Sequence, residues 1–428
     1  MKASLSRGVA IVGVGNLIGT ALGVVFSIVA ARLLNTSAYG EIRYELSIAT
    51  LLNTLIISGY GTSVIRHLGK ESDNRLKQSS YFTNGLVLTI VTTPVLMLAG
   101  FLIGGMRWSV AAVVVGGSLT SVYSALQMGL IAPARLSMFV VVTGSLRIAG
   151  LLPFIFYGSY ANSSLILLVY SIIPALGIIG LEAILRSPID IKRNYVDRAV
   201  IRDIAAFSVP IIMGNAAFVA LSGTDLILLE FFQGTQDVGI YSATKTLPAL
   251  FLFIPQAFST ILLPWTAKEK TTSPVIQGYI SPLRTTLLIS IPFLLGLFFL
   301  GKEVMYLLFP GRYFASESVL VLLGVAMMFA GIHWILGAVW VGQGRPYVTA
   351  IGSAVGACVY LSSGVFLIPA FDLVGASVSL ILGYGTACLV LFIYILMDNG
   401  MRKGLRGFLH VDASWLMRRL HIRPNQDD

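Results

Sequence analysis

The chain reads ARLLNTSAYG over residues 31–40, and a similar passage, FFQGTQDVG, follows over residues 231–239. In each passage a short polar turn separates one long apolar run from the next. When Gly40 is aligned with Gly239, the order of the segments agrees over about 200 residues, although few individual residues match. A duplicated half in an apolar chain is typical of membrane transporters that enclose a substrate path between two lobes.

The composition is that of an integral membrane protein. Of the 428 residues, 56% are hydrophobic and only 11% are charged, far from the balance of soluble proteins. A helix of about 20 apolar residues crosses the roughly 30 Å hydrocarbon core of a bilayer. The sequence contains twelve such segments, near residues 8–31, 44–65, 82–105, 108–131, 138–158, 164–185, 204–229, 238–264, 284–309, 317–341, 347–370 and 373–397. The first lacks the small-residue cleavage site of a signal peptide, so we expect it to be a span.

The net charge of +10 reflects membrane topology rather than a nucleic-acid partner. If the N-terminus lies inside, 22 of the 29 Lys and Arg residues fall on the inner side and five on the outer side. The remaining two, Arg147 and Lys245, lie within predicted spans. Because basic residues concentrate on the cytoplasmic side of membrane proteins, we predict that both termini are cytoplasmic and that no nucleic acid is bound.

A polar stretch divides the chain into two sets of six predicted spans. We call residues 1–185 the first half and residues 204–397 the second half, with a cytoplasmic linker over 186–203 and a basic cytoplasmic tail over 398–428. Because each half has an even number of spans, both enter the membrane from the same side. We therefore predict an all-α integral membrane protein of twelve transmembrane helices, in two six-helix bundles that a parallel pseudo-two-fold axis relates.

Arg147 is a charged residue within the fifth predicted span, twelve residues after Arg135 and surrounded by apolar side chains. A charge at the centre of a span costs about 2.5–3.5 kcal/mol to insert, so its presence requires a physical reason. Two interpretations are open. Arg147 either lines a polar cavity and binds an anion, or pairs with backbone carbonyl groups or a neighbouring acidic residue.

Asp225 and Lys245 lie nine residues before and eleven residues after Gly234, on adjacent antiparallel spans. Their depths in the membrane nearly match, so an ion pair would lower the insertion cost of both. The alternative is that Lys245 faces a cavity and Asp225 adjusts its environment. The alignment of the two passages places Leu46 opposite Lys245 and Phe26 opposite Asp225, so these charges belong to the second half alone.

A second group of charges surrounds the first polar turn and consists of Arg32, Glu41, Arg43 and Glu45. These positions lie closer to the membrane surface than Asp225 and are better hydrated. We therefore favour an interfacial cluster of salt bridges at this turn over a second set of charges that faces the cavity.

The sequence lacks the signatures of an enzyme. Its four histidines are scattered and have no metal-ligand spacing with acidic residues or cysteines. The GVG of residues 13–15 lacks the strand context of a nucleotide-binding loop, and no Gly-Lys-Ser/Thr occurs. Cys358 and Cys388 lie within spans and are expected to be inert packing residues. We expect a protein that is not an enzyme and uses no cofactor or metal.

Several passages resemble the polysaccharide-transporter branch of the multidrug/oligosaccharidyl-lipid/polysaccharide exporter superfamily, the Wzx-type flippases. The most specific are DLILLE over residues 225–230 and VGIYSATK over residues 238–245. The passage over residues 31–40, LFPGRY over residues 308–313 and LIPAFDLVGA over residues 367–376 are also similar. The resemblance covers nearly the whole chain.

The resemblance implies two six-helix bundles around a cavity that opens alternately to each side of the cell membrane. The implied cargo is a polyprenyl-diphosphate-linked oligosaccharide, carried from the inner to the outer leaflet for cell-surface polysaccharide synthesis. We expect Arg147 and Lys245 to bind the diphosphate, with Asp225, Tyr241 and Arg32 in support. The family passage contains Lys245, Asp225 and Tyr241, whereas Arg147 is chosen from its position alone. The implied partners are the lipid-linked saccharide, membrane lipids and proteins of polysaccharide assembly.

Three alternatives are open at this point. A cation-coupled multidrug exporter of the same superfamily typically carries an acidic residue in its first helix, and residues 8–31 contain none. A murein-precursor flippase usually has helices beyond twelve and more charge in its first span. A membrane glycosyltransferase requires a sizeable external loop, and the longest predicted one here spans only residues 310–316.

Overall fold

The computed structural model describes residues 2–71, 74–104, 108–130, 132–156, 162–185, 189–268 and 272–398. Every regular element within these ranges is a helix, which confirms the predicted all-α class. The first half contains α1 (Lys2–Leu33), α2 (Thr36–Lys70), α3 (Arg75–Gly104), α4 (Trp108–Gly129), α5 (Pro133–Ala149), α6 (Leu152–Phe156) and α7 (Ser163–Leu185). From the linker onward the chain forms α8 (Arg198–Gly223), α9 (Asp225–Gln233), α10 (Thr235–Ala249), α11 (Phe253–Lys268), α12 (Thr272–Leu308), α13 (Glu317–Gly342) and α14 (Pro346–Met397).

The two duplicated passages form equivalent turns between helices. Asn35 caps the start of α2, where its side-chain oxygen accepts a hydrogen bond from the backbone N–H of Ala38 at 2.8 Å. Gly234 separates α9 from α10 with a φ of +87°, a backbone conformation that glycine adopts without steric cost. Both halves therefore contain a helix, a polar turn and a second helix in that order, as their alignment predicts.

Eight described helices are long and apolar enough to cross a membrane, or up to ten if each of two bent helix pairs forms one span. The chain is therefore a multi-pass membrane protein, and the total of twelve spans remains a prediction. The 52 residues of α14 would extend about 78 Å at 1.5 Å per residue, more than twice the hydrocarbon thickness. This helix is broken at Phe371 and Asp372, between the last two predicted spans.

Gln233 stabilises the break in α14. Its side-chain amide donates hydrogen bonds to the carbonyl oxygen of Ile368 at 3.0 Å and to the carboxylate of Asp372 at 2.7 Å. Asp372 has a φ of +50°, which is rare for a residue other than glycine and requires such support. The turn of the second duplicated passage is thereby joined to the bend of the last helix.

The two halves pack against each other through α2, whose first turns lie on α10. A Cβ atom placed on Gly40 would lie 1.7 Å from the carbonyl oxygen of Thr235. A Cβ atom placed on Gly239 would lie 2.1 Å from the carbonyl oxygen of Thr36. The hydroxyl groups of Ser37 and Thr235 are hydrogen-bonded at 2.9 Å. The backbones of α2 and α10 therefore touch where the two aligned glycines meet, and we call this contact the glycine crossing.

The opposite end of α2 contacts α8 and the linker. Nε2 of His67 in α2 lies 3.0 Å from a carboxylate oxygen of Asp203 in α8. Tyr81 stacks on the His67 ring and donates its hydroxyl proton to Asp203 at 3.1 Å. The linker is held on α3 by Asn84, whose side-chain oxygen accepts a hydrogen bond from the backbone N–H of Asp197 at 3.0 Å. The linker is therefore a packed element rather than a free connection.

Candidate functional site

A cavity of 260 Å³ lies between the two halves, and we call it the interface cavity. Residues of α1, α2, α5 and α7 line it from the first half. Thr246, Ala249 and Leu250 line it from the second half. Among the described residues of its wall, two are arginines, Arg43 and Arg147, and none is acidic. The charged side chains in the described wall of this cavity are therefore all cationic.

Arg147 reaches the interface cavity from the last turn of α5. Its guanidinium group lies over the ring of Tyr170, 4.4 Å from the ring centre, in a cation–π contact. Its Nε atom is buried and has no hydrogen-bond partner among the described residues. Because α5 ends at Ala149, the negative end of the helix dipole lies beside the guanidinium group and favours its charge. The structure places Arg147 on a cavity, and the binding of an anion there remains a prediction.

Arg43 is a candidate site residue that the sequence interpretation did not select. It reaches the interface cavity from α2, and its Nη1 atom lies 3.4 Å from the hydroxyl oxygen of Ser27. Its Nε atom is also buried, with no hydrogen-bond partner in the part of the chain that the structure describes. Two arginine side chains from different helices thus line one cavity.

Helical spacing explains why Arg43 is separated from the acidic residues with which the sequence interpretation grouped it. The carboxylates of Glu41 and Glu45 accept hydrogen bonds from the hydroxyl groups of Ser163 and Ser109, each at 2.5 Å. Residues four apart share one face of a helix, whereas residues two apart point to opposite sides. Arg43 therefore faces away from both glutamates, and this spacing was the available sequence signal for its position in the cavity.

A larger cavity of 590 Å³ lies within the first half, and we call it the first-half cavity. It shares Gly144 and Arg147 with the interface cavity. Hydroxyl and amide side chains form much of its wall, namely Asn53, Thr54, Thr62, Thr120, Ser121, Ser124 and Thr143. Arg147 is the one charged residue among the described residues that line this cavity. Such a wall suits an uncharged polar group.

Lys245 and Asp225 form an ion pair in the second half, with side chains 23% and 4% exposed. Tyr241 is fully buried in a hydrophobic cluster with Tyr360. Lys245 does not line the interface cavity or the first-half cavity, although its neighbour Thr246 lines the former. The structure therefore shows the ion pair that the similar membrane depths of the two residues allow. The role of Lys245 as a diphosphate ligand remains a prediction.

Arg32 connects α1 to the end of α12. It donates hydrogen bonds to the carbonyl oxygens of Leu307 and Leu308 at 2.8 and 3.3 Å. Tyr313 makes the reciprocal contact by donating to the carbonyl oxygen of Leu34 at 2.8 Å. Burial raises the pKa of Tyr313 to about 12, so its phenol remains a donor at physiological pH. These contacts satisfy carbonyl groups at two helix ends, and the supporting role of Arg32 in substrate binding remains a prediction.

Within the described ranges, no group of three or more His, Cys, Asp or Glu side chains has the geometry of a metal site. Cys358 is exposed, whereas Cys388 is buried. The thiol of Cys388 donates to the carbonyl oxygen of Phe329 at 3.2 Å.

A multi-pass helical fold with polar cavities between and within its halves is the architecture of a membrane transporter. Solved structures share this fold. An inward-facing multidrug resistance MATE transporter of the MOP superfamily matches with a TM-score of 0.74 at 14% identity, over 92% of this chain and 96% of that chain. A MOP superfamily transporter from Pyrococcus furiosus matches with a TM-score of 0.63 at 14% identity, over 93% and 95% of the two chains.

The profile of the family described as "Polysaccharide biosynthesis protein" matches residues 5–270, more than half of the chain. The chain therefore belongs to this family, and its resemblance to the Wzx-type flippases of the MOP superfamily is confirmed.

Archaeal relatives extend the match along the chain. The probable flippase AglR of Haloferax volcanii is 24% identical over 410 residues, which are 89% of this chain and 81% of that protein. The uncharacterized membrane protein MJ1375 of Methanocaldococcus jannaschii is 21% identical over 386 residues, 85% of this chain and 91% of that protein. A second protein of that organism, MJ1068, matches 192 residues, and the match spans only 38% of its length. The chain is thus similar to a probable flippase and, in fold, to transporters of the MOP superfamily.

Proposed function

We propose that the protein is a flippase for a polyprenyl-diphosphate-linked oligosaccharide, which it moves from the inner to the outer leaflet of the cell membrane. The observation that carries the proposal is the pair Arg43 and Arg147, which face one cavity whose described wall contains no acidic residue. Membership of the polysaccharide biosynthesis family and similarity to a probable flippase support it. In this proposal twelve spans form two six-helix lobes, which expose the cavity to each side of the membrane in turn.

The chemistry of the two arginines matches that of a diphosphate. A diphosphate loses hydration when it enters a cavity at membrane depth, and it requires replacement donors there. Guanidinium groups suit this task because their N–H groups bind phosphate oxygens in bidentate geometry. Arg43 and Arg147 both line the interface cavity, so an anion bound there would accept hydrogen bonds from their guanidinium groups. The polyprenyl chain can remain in the bilayer, which solvates it.

Lys245 enters the proposal through the duplication. Its counterpart in the first half, Leu46, lines the interface cavity, as does Phe26, the counterpart of Asp225. A pseudo-two-fold relationship would give Lys245 the equivalent position on the second half. We propose that Lys245 reaches the diphosphate when the halves move. In the present conformation, Asp225 balances the positive charge of Lys245. Tyr241 would support this pair through packing.

The proposal includes an orientation and a set of partners. The excess of basic residues on one side of the predicted spans supports cytoplasmic termini and a cytoplasmic linker. The proposed partners are the lipid-linked saccharide, membrane lipids and proteins of polysaccharide assembly.

Arg43→Ala and Arg147→Ala are each expected to slow translocation of a labelled polyprenyl-diphosphate glycan in proteoliposomes by about 10- to 100-fold. Each removes charged hydrogen bonds worth about 1.5–3 kcal/mol, and about 1.4 kcal/mol corresponds to a factor of ten. Arg147→Lys should give an intermediate rate, because it keeps the charge and loses the bidentate fork. The measurement is the rate at which labelled lipid becomes accessible to an enzyme outside the vesicle.

A matched control is Arg345→Ala. Arg345 lies outside both cavities, where it pairs with Asp398 at 2.8 Å, and its side chain is 48% exposed. This variant should retain the wild-type rate. Wild-type translocation by the double variant Arg43→Ala/Arg147→Ala would contradict the proposed diphosphate site.

A further inference from the structure

The first-half cavity contains hydroxyl groups that the fold does not use. Ser121 and Ser124 lie three residues apart on one face of α4, and both line the cavity. Neither hydroxyl group has a hydrogen-bond partner in the described part of the chain. Ser121 is exposed and Ser124 is half-buried, so both hydroxyl groups are open to a ligand in the cavity.

Other side chains of the cavity wall present acceptors. Thr120 donates its hydroxyl proton to the carbonyl oxygen of Gly116 at 3.0 Å. Thr143 of α5 donates in the same way to the carbonyl oxygen of Phe139 at 2.9 Å. Their hydroxyl oxygens can still accept hydrogen bonds from a ligand. The wall thus combines free donors with free acceptors, which is the requirement for binding the hydroxyl groups of a sugar.

The charge of the cavity wall limits the kind of sugar that fits. Arg147 lies at the junction with the interface cavity, and the remaining described wall is neutral. Because the diphosphate occupies Arg147 in the proposed function, a carboxylate or ammonium group on the bound sugar would lose hydration without gaining an ionic partner of its own, which is costly. An uncharged sugar would exchange its water for the hydroxyl groups of the wall at little cost.

The position and size of the cavity relate it to the diphosphate. A volume of 590 Å³ falls within the range of about 300–1,000 Å³ that is typical of small-molecule sites. Because both cavities share Arg147, a ligand whose diphosphate contacts this side chain can extend its adjacent groups into the first-half cavity. By contrast, a cavity of 310 Å³ in the second half is lined by apolar side chains and the thiol of Cys388.

We infer that the first-half cavity is a saccharide site, which holds the uncharged sugar nearest the diphosphate while Arg43 and Arg147 bind the diphosphate itself. This inference rests on the proposed function and adds a substrate class to it. Ser121 and Ser124 supply the donors, and Thr120 and Thr143 supply acceptors.

The test compares the translocation of three labelled polyprenyl diphosphates in proteoliposomes. The first lipid carries no sugar, the second carries one glucose and the third carries one glucuronate. The double variant Ser121→Ala/Ser124→Ala should slow translocation of the glucose lipid about tenfold, the effect of two neutral hydrogen bonds. Its rate with the sugar-free lipid should equal that of the wild type. In the wild type, the glucuronate lipid should move at least about tenfold more slowly than the glucose lipid, because the diphosphate occupies Arg147 and the carboxylate has no other cation in the described wall.

The controls separate a saccharide site from a general defect. Ser362→Ala removes an exposed hydroxyl group of α14 that bonds only its own helix, and it should change no rate. The inference is overturned if the serine double variant slows both lipids equally, or slows neither. Equal wild-type rates for glucose and glucuronate lipids would overturn the restriction to uncharged sugars. Failure of the proposed function would give a different result. In that case the sugar-free lipid would be translocated at the same rate by the wild type and by Arg147→Ala.

Discussion

Gly40→Ala is expected to slow translocation about tenfold or more, because it prevents α2 and α10 from meeting at the glycine crossing. A Cβ atom at this position would lie 1.7 Å from the carbonyl oxygen of Thr235, less than half of the about 3.5–4.0 Å at which nonbonded atoms pack. The obstacle is backbone, so the two helices must separate. Overpacking of this kind costs about 1–3 kcal/mol, which shifts the balance between the closed and open arrangements of the halves about 5- to 150-fold.

Disulfide formation across the glycine crossing measures this shift directly. Ser37→Cys and Thr235→Cys place two thiols where hydroxyl groups lie 2.9 Å apart, in a chain whose natural Cys358 and Cys388 are replaced by serine. The disulfide should form readily in this background and much more slowly after Gly40→Ala. Gly296→Ala in α12 is the matched control, because its Cβ atom would meet no atom within 4 Å. An unchanged disulfide yield after Gly40→Ala would contradict the role of the glycine crossing in closure.

The glycine crossing also shows how far the sequence could lead. The alignment of the duplicated passages placed Gly40 opposite Gly239, and the structure brings the two residues together. Equivalent residues of a duplicated element touch when they lie near the axis that relates the copies. The sequence predicts which residues are equivalent. Their distance from the axis depends on how the two halves pack, and no local sequence pattern predicts that packing.

Apolar runs and turn residues predict the helices and the boundary between the last two spans, where α14 breaks. They do not predict the backbone conformation at that break. Phe371 and Asp372 carry no Gly or Pro signal at the break itself, although Pro369 lies nearby. The conformation of Asp372 depends on a hydrogen bond from Gln233, more than a hundred residues earlier. A local conformation that a distant side chain stabilises cannot be read from its own neighbourhood.

The sequence predicted the part of the candidate site where a charged residue interrupts an apolar span, because burying a charge is costly. Arg147 stood out because it interrupts an apolar span, and the structure places it on two cavities. Arg43 was assigned to a cluster of salt bridges because it lies among the acidic residues of a turn, where ion pairs are the usual expectation. Arg43 lies on the opposite face of α2 from Glu41 and Glu45. The helix face therefore predicts the position of Arg43 better than the number of charges nearby.

The second large effect is expected at the ion pair of Asp225 and Lys245. Asp225→Asn and Lys245→Met should each destabilise the protein by about 3–5 kcal/mol, because each leaves a largely buried charge without its partner. The double variant should be more stable than either single variant, since no uncompensated charge remains. Thermal unfolding in detergent measures the differences. The matched control is the pair Lys302 and Glu317, whose side chains are 46% and 53% exposed, so its removal should cost about 1 kcal/mol or less.

The translocation rate of the double variant then isolates the role of Lys245 in substrate binding. A double variant that regains stability but moves the diphosphate lipid at least about tenfold more slowly has lost a ligand rather than a structural contact. A double variant that is as stable and as fast as wild type would contradict that role and leave the ion pair a purely structural contact. If the double variant is as unstable as the single variants, the coupling between the two charges is itself contradicted. Because the counterparts Phe26 and Leu46 line the interface cavity, we expect the first of these results.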